Sequence, residues 1–444
     1  MAPVLTSAFA SLPFVAQLTM TAFFSKSRHR AARVAAFAAA LVVMASSAIA
    51  QTAEQLFDDT QLSNVHLRLS ERDWARMRLE DDDTYYAADL TWNGVTVRNV
   101  AIRHRGLGSR TTSKPGLLVD VNHYVAGQEF LGMTGLILDN VYTDPSMVRE
   151  AVAMKVYARM GIMAPREAHV RLFVNDAFAG VYVAVERIDR QFIERLFGTG
   201  EANQESGGYL LEYRWIDEWG FEDLGDALLP YAERFRPHTR ETDAAANVYG
   251  PVRTLVQDLN SVATDRLLQT VGARLDLVQV ARFAGIQTCV AESDGLAGFD
   301  GVSNFYLYRF RDGRPAVLLP WDSDHSFSDA TVPVGFRMDT TVLTRRIMEQ
   351  PVLRDAYHLA VQECAQLLAQ PAAADARGWL EHEFARLFAN IGPSVAADRF
   401  TQFDYDEFAQ EQSFLLSLAR TRPPYLLCQL ANGTTSAACP VPGR

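Results

Sequence analysis

Ala88-Asp-Leu-Thr-Trp-Asn-Gly-Val-Thr-Val-Arg-Asn-Val-Ala-Ile-Arg103 decides the class of the fold. Two alternating strands flank Asn93-Gly94, a dipeptide that tolerates the positive φ a two-residue hairpin turn needs. A second hairpin spans 169–174 and 180–186 around Asn175-Asp176, with Val181, Val183 and Val185 alternating against Tyr182 and Ala184. Shorter strands are expected at 116–122 and 135–139, and 64–75 reads as a strand followed by a turn or helix start. Between the hairpins, Asp144-Pro145 reads as a helix cap with proline at the first helical position. Val148, Val152, Val156 and Met160 then recur at i+4 until Gly161. A further helix is expected over 188–197.

Past this point the pattern changes. Residues 199–207 and 216–245 are loop-rich and charged, and 252–291 reads as helical through Leu259, Leu267 and Leu275. A strand pair follows at 304–309 and 316–320 around Asp312-Gly313, and helices dominate from 342 to about 418. The expected class is α+β, with an antiparallel sheet in the first half and mainly helices in the second.

Lys26, Arg28, Arg30 and Arg33, the apolar run 34–44 and Ala45-Ser-Ser-Ala-Ile-Ala50 have the order of a secretory signal, with cleavage expected after Ala50. The apolar run is shorter than the roughly 20 residues a membrane span needs, so no membrane insertion is expected after cleavage. Without residues 1–50 the chain carries 38 basic against 53 acidic residues, about −15. That balance argues against nucleic acid as a partner. None of the four cysteines has the C-x-x-C spacing of a zinc site. Cys428 and Cys439 flank a Gly/Thr/Ser-rich loop and could be oxidised in an exported protein, whereas Cys289 and Cys364 read as small buried residues.

Four features carry chemistry. In Leu318-Leu-Pro-Trp-Asp322-Ser-Asp324-His-Ser-Phe327 an apolar strand ends in two carboxylates at i and i+2, hard oxygen ligands suited to Mg²⁺ or Mn²⁺. The plainer reading is a strand-end turn capped by Asp324. Upstream lie Asp294, Asp300 and Asn304. An Asp, then an Asn, then a strand ending in Asp is the order in which phosphoryl transfer uses a proton acceptor and two metal ligands. Arg103-His-Arg105-Gly106-Leu-Gly108-Ser109-Arg110, followed by Lys114, is a glycine loop with cations, able to approach an anion or to be simply a tight turn. Glu186 ends an apolar strand, where it is either a partner for a catalytic lysine or a surface charge.

Taken in order, five blocks resemble the spore coat protein H (CotH) kinase family over roughly residues 60–420. They are Ile102–Ser109 with Lys114, Leu138–Glu150, Val174–Asp189, Asn304–Tyr308 and Pro320–Phe327. The resemblance implies an atypical protein-kinase-like fold of two lobes, β-rich over 51–198 and mainly helical over 199–425, before a tail at 426–444. It also implies ATP-dependent phosphorylation of protein Ser/Thr with Mg²⁺ or Mn²⁺, here on an exported or surface protein. Lys114 would then contact the nucleotide phosphates, with Arg105 supporting the Gly106–Ser109 loop and Glu186 or Glu150 orienting the lysine. Asp294 or Asp300 would accept the proton, and Asn304 and Asp322 would bind metal with Asp324 beside them. Here Lys114-Pro115-Gly116 stands without the paired basic residues usual in that block. A metal-dependent hydrolase or phosphatase, and an inactive envelope module binding protein or glycan, are the competing readings.

Overall fold

Strand β1 (Ser63–Leu69) precedes helix α1 (Glu71–Leu79) and pairs antiparallel with β2 (Tyr86–Trp92), which turns into β3 (Val95–His104). Asn93 and Gly94 take φ of 46° and 81°, the left-handed pair whose twist matches the flanking strands. The order continues through β4 (Leu117–Asp120), β5 (Gly135–Asp139), β7 (Ala177–Glu186) and β6 (Glu167–Val174). β6 then pairs with β1 in parallel, from Ser63↔Val170 to Leu67↔Val174, and closes a seven-stranded barrel. The antiparallel sheet expected from sequence is present, and one parallel pair that was not expected closes it into a barrel. Hairpins announce their own pairing, but a parallel closure between segments a hundred residues apart leaves no local signal.

Both faces of one barrel wall are buried. Leu117, Val119, Leu136, Leu138, Tyr182 and Ala184 fill the interior, while Leu118, Ile137, Val181, Val183 and Val185 join the core made with the helices. The period of two in β7 therefore separates two cores rather than core from water.

The structure is a computed structural model that describes residues 51–79, 82–106, 108–199, 207–372, 376–433 and 439. The signal segment at 1–50 lies outside these residues, as do most of 199–207 and the end of the tail. From Thr52 onward the chain gathers into one unit. No helix among the described residues is long and apolar enough to cross a membrane.

Helix α2 (Arg149–Arg159) starts later than the Asp144-Pro145 signal suggested. The Asp144 carboxylate accepts from the backbone N–H groups of Ser146 and Arg149 and from the Ser146 hydroxyl. With Met147 at φ 61°, these bonds make a turn ahead of the helix. Helix α3 (Arg190–Phe197) begins where Asp189 caps the N–H groups of Gln191 and Phe192.

A second sheet has the order β11 (Val317–Pro320), β10 (Phe305–Arg309), β8 (Tyr209–Tyr213) and β9 (Phe235–Pro237). β9 lies inside the stretch expected to be loop; three residues ending in proline are too few to show a period. The helices that complete the second half are α4 (Ala245–Ser261), α5 (Leu277–Cys289), α6 (Val342–Glu349), α7 (Pro351–Ala369), α8 (Trp379–Val395) and α9 (Tyr405–Asn432), with α5 packed on β11 and α8 on barrel strand β7. The class is α+β. α9 runs through Pro423 and Pro424 into the residues expected to be tail, with Arg422 and Leu426 fully buried. Cys428 and Cys439 are bonded. Cys289 and Cys364 are buried as expected but also form a disulfide, joining α5 to α7 across 75 residues of sequence. The bond itself had no signal in sequence, because helical positions 75 residues apart carry no mark of proximity.

Candidate functional site

The register of the second sheet builds the site. Phe305 pairs with Pro320, so Asn304 and Trp321-Asp322 leave neighbouring strands at the same edge. Asn304 and Asp322 take φ of 59° and 52°, a region that Asn and Asp tolerate better than other side-chain-bearing residues. Asp294, in the loop after α5, joins them. The Asn304 side-chain amide donates to Asp294 Oδ2 and to the Asp294 carbonyl at 2.9 Å each, and the Ser303 hydroxyl donates to Oδ1 at 2.5 Å. Asp300 is exposed, and its backbone carbonyl accepts from Trp215 Nε1 at 2.8 Å. Of the two candidate proton acceptors, only Asp294 is bonded to Asn304.

The segment beyond Asp322 is tied down from three directions. The Thr143 hydroxyl donates to Asp324. Ser326 Oγ donates to Glu292 at 2.7 Å, while Arg149 bonds the carbonyls of Ser326 and Phe327 at 2.8 Å each. Arg149 is held in turn by Asp144 and Glu411.

From the barrel comes Arg105, paired with Asp139 at 2.7 Å and 5.6 Å from the ring centre of Trp321. Against the cost of burial, Asp139, Asp322 and Glu150 raise the Arg105 guanidinium above its ordinary value. The Arg105 N–H donates to the Gly116 carbonyl and closes the loop that holds Gly106, Gly108 and Ser109. Gly106 sits at φ 107°, a conformation only glycine takes readily. Asn140 anchors the loop by donating to the carbonyls of Ser109 and Lys114.

Lys114 lies elsewhere than expected. It is 2% exposed, its ammonium is 2.9 Å from Asp398 Oδ2, and it sits 5.2 Å from the ring centre of Tyr182. Burial pulls the ammonium below its ordinary value, with the Asp398 charge opposing. Glu186 does not orient it, because both Glu186 oxygens are taken by Arg166 and Arg195. Glu150 instead faces the carboxylates of the site. The expected lysine–glutamate pair is corrected to Lys114–Asp398. Gly180 makes room for that pair: at φ 128°, a Cβ added there would lie 2.6 Å from Asp398 Oδ2. Gly180→Ala is therefore expected to lower stability by at least about 1 kcal/mol, read as a shift of the urea midpoint.

Too many negative charges converge here. Burial, and then the charges of Asp139 and Asp294 against the opposing Arg105, push Asp322 up to about 6. Asp324 rises well above its ordinary value through burial and Asp322, and Glu150 through burial, Glu167 and Asp322. Burial raises Glu292 to about 7. Both carboxyl oxygens of Glu167 are buried without a hydrogen-bond partner. Raised folded-state values mean that the contribution of these groups to stability is full below the unfolded carboxylate range and is lost as pH rises through about 6 to 7. In EDTA the melting temperature is expected to fall between pH 5 and 8; a flat or rising profile would contradict the crowding of charge.

Among the described residues, no three acidic, His or Cys side chains already converge closely enough to hold an ion. Mg²⁺ needs only one or two carboxylates when phosphate oxygens and water complete its shell. The oxygen donors Asp322 and Asn304, in a site short of positive charge, fit that requirement.

The profile described as CotH kinase protein matches residues 102–426, most of the chain. The chain belongs to the CotH kinase family. This CotH-family chain is 20% identical over 344 residues to the inner spore coat protein H of Bacillus subtilis (strain 168), covering 74% of this chain and 86% of that protein. Among solved structures, the Golgi casein kinase is 8% identical with a TM-score of 0.29, covering 87% of this chain and 77% of its own. The Helicobacter pylori proinflammatory kinase CtkA is 10% identical with a TM-score of 0.27, covering 71% and 94%. The Golgi casein kinase with Mn/ADP bound is 9% identical with a TM-score of 0.28, covering 83% and 74%. The fold described above rests on strand pairing and not on these likenesses.

Sequence reasoning gave no role to Asp139, Asn140 and Arg149, which stand in the family-like block Leu138–Glu150, nor to Glu167, Glu292 and Asp398. Asp139-Asn140, a polar pair directly after a buried strand, was the one legible signal among them.

Proposed function

We propose that this chain is a phosphotransferase that moves the γ-phosphoryl group of ATP, with Mg²⁺ or Mn²⁺, to a Ser or Thr hydroxyl of an exported protein. The observation that carries this reading is the joining of Asp294, Asn304 and Asp322 from two loops at one sheet edge, opposite Arg105 from the barrel. Asn304 and Asp322 would hold the cation, with Asp324 beside them. The cation, when bound, neutralises charge on the phosphate oxygens. Asp294 is held by Ser303 and Asn304 and accepts the hydroxyl proton. The hydroxyl oxygen bonds to the γ-phosphorus as the bond to the bridging oxygen breaks, and ADP leaves with that electron pair. Arg105 supplies the phosphate-facing cation, and the Gly106–Ser109 loop lies beside it. Lys114, sealed against Asp398, acts as a strut under that loop in place of the phosphate contact implied by the resemblance.

Export is part of the proposal, supported by the signal-like residues 1–50 and by two disulfides, which persist in oxidising compartments. The test is incubation with γ-labelled ATP, Mn²⁺ and a generic acceptor protein. Label transfer lost in Asp294→Asn and kept in Asp300→Asn is the expected result. Phosphate release without transfer would turn the reading to a hydrolase, and failure to bind nucleotide would overturn both.

A further inference from the structure

The loop that carries Asp294 also carries an exposed aromatic group. Phe299 is 59% exposed, and Phe336 packs edge-on against it at 5.9 Å while itself 40% exposed. Trp215, 43% exposed, reaches the same loop through its bond to the Asp300 carbonyl. The backbone of this loop lies beside that of the acid: the Phe299 N–H donates to the carbonyl of Ser293, the residue before Asp294, at 3.3 Å.

The fold does not need the Phe299 ring in order to hold this loop. Arg337 bonds the carbonyls of Ala297, Gly298 and Phe299 at 3.1, 2.7 and 3.2 Å. The Val302 N–H donates to the Trp219 carbonyl, and a Cβ on Gly301 would strike that backbone at 2.7 Å. Backbone bonds and close packing fix the loop, and the large rings are left facing water. A cluster of exposed aromatics on an otherwise well-tied loop marks a contact surface.

We propose that Trp215, Phe299 and Phe336 form a docking ledge for an apolar side chain of the acceptor polypeptide, placed within a few residues of the hydroxyl that is phosphorylated. This rests on the phosphotransferase reading and names the kind of acceptor it takes. Each residue of an extended chain spans about 3.3 Å, and Phe299 is bonded to the residue before Asp294, so a side chain on the ledge belongs within a few residues of the hydroxyl. Asp300, next to Phe299 in the chain, is exposed, as are Glu218, three residues after Trp215, and Asp339, three after Phe336. The Arg337 guanidinium is spent on carbonyls and lies over the Phe299 ring at 4.9 Å. Charge therefore disfavours an acidic residue next to the apolar one.

The test uses fluorescent peptides with one Ser, carrying Leu, Ala or Glu at each position up to four residues on either side. Anisotropy reads binding without catalysis, and label transfer reads kcat/KM. The expected result is an advantage of about tenfold for Leu over Ala at one or two positions, with Glu worse than both. Phe299→Ser is expected to erase that advantage with KM for ATP unchanged, and Phe336→Ser to reduce it. Equal binding and transfer for Leu and Ala peptides would overturn the ledge while leaving the phosphotransferase intact. Leu-selective binding without transfer to any peptide would keep the ledge and overturn the phosphotransferase.

Discussion

Asp398→Asn is expected to destabilise the protein by about 3–5 kcal/mol, because it strands the Lys114 ammonium in a water-free site. The pair is buried on both sides, with side-chain exposures of 3% for Lys114 and 0% for Asp398. Asp398 also accepts from the N–H of Val181 at Oδ2 and from the N–H of Phe400 at Oδ1, and an asparagine, with one oxygen, can keep only one of these bonds. The loss in the single variant is thus mainly the unpaired charge, with one backbone hydrogen bond added to it. The double variant Lys114→Met/Asp398→Asn removes that charge and is expected to recover most of the stability, since an apolar replacement of a buried pair is often close to neutral. Chemical denaturation of the four members of the cycle measures the coupling. The double variant also tests function. If Lys114 is a strut and Arg105 faces the phosphates, the double variant still binds ATP; if it folds but has lost ATP, Lys114 contacts the nucleotide after all.

Asp322→Asn is expected to separate activity from stability. Transfer falls by roughly 10³-fold, the scale for removing a preorganised electrostatic contact to the transition state. In EDTA at pH 8 the same variant is expected to be more stable than the parent by about 1–3 kcal/mol. The sign follows from the rise of Asp322 to about 6: at pH 8 the native state holds a charge it disfavours, and the amide removes it. At pH 5 the difference should shrink, because the carboxyl is then largely protonated in the native state. Melting curves at the two pH values check this, and a variant that is less stable at pH 8 would refute the electrostatic account of the site.

The parts of this molecule that were legible in sequence are those with local causes. Asn93-Gly94 and Asn175-Asp176 specified their hairpins through the positive φ they accept, and the strand pair around Asp312-Gly313 followed the same logic. The register of that pair sets Asn304 and Asp322 at one end of the sheet, whereas in sequence their shared role came only from the family resemblance. What sequence hid was everything built by distance. The parallel closure of β1 on β6, the Cys289–Cys364 bond and the Lys114–Asp398 pair, 284 residues apart, have no periodic or compositional trace. Glu186 shows the complementary failure. A carboxylate at a strand end looks the same whether it meets a lysine or two arginines, and here it meets Arg166 and Arg195. Asp144-Pro145 misled by one turn, since a carboxylate that caps a helix and one that builds the turn before it share the same sequence.

Calorimetric titration of ATP into the protein, with Mn²⁺ and then with EDTA, tests the central claim most directly. The expected result is binding that requires Mn²⁺ and is lost in Asp322→Asn while the variant remains folded. Binding of equal strength in EDTA or in Asp322→Asn, or no binding by the parent protein, would contradict the assignment of Asp294, Asn304 and Asp322 as a metal–nucleotide site.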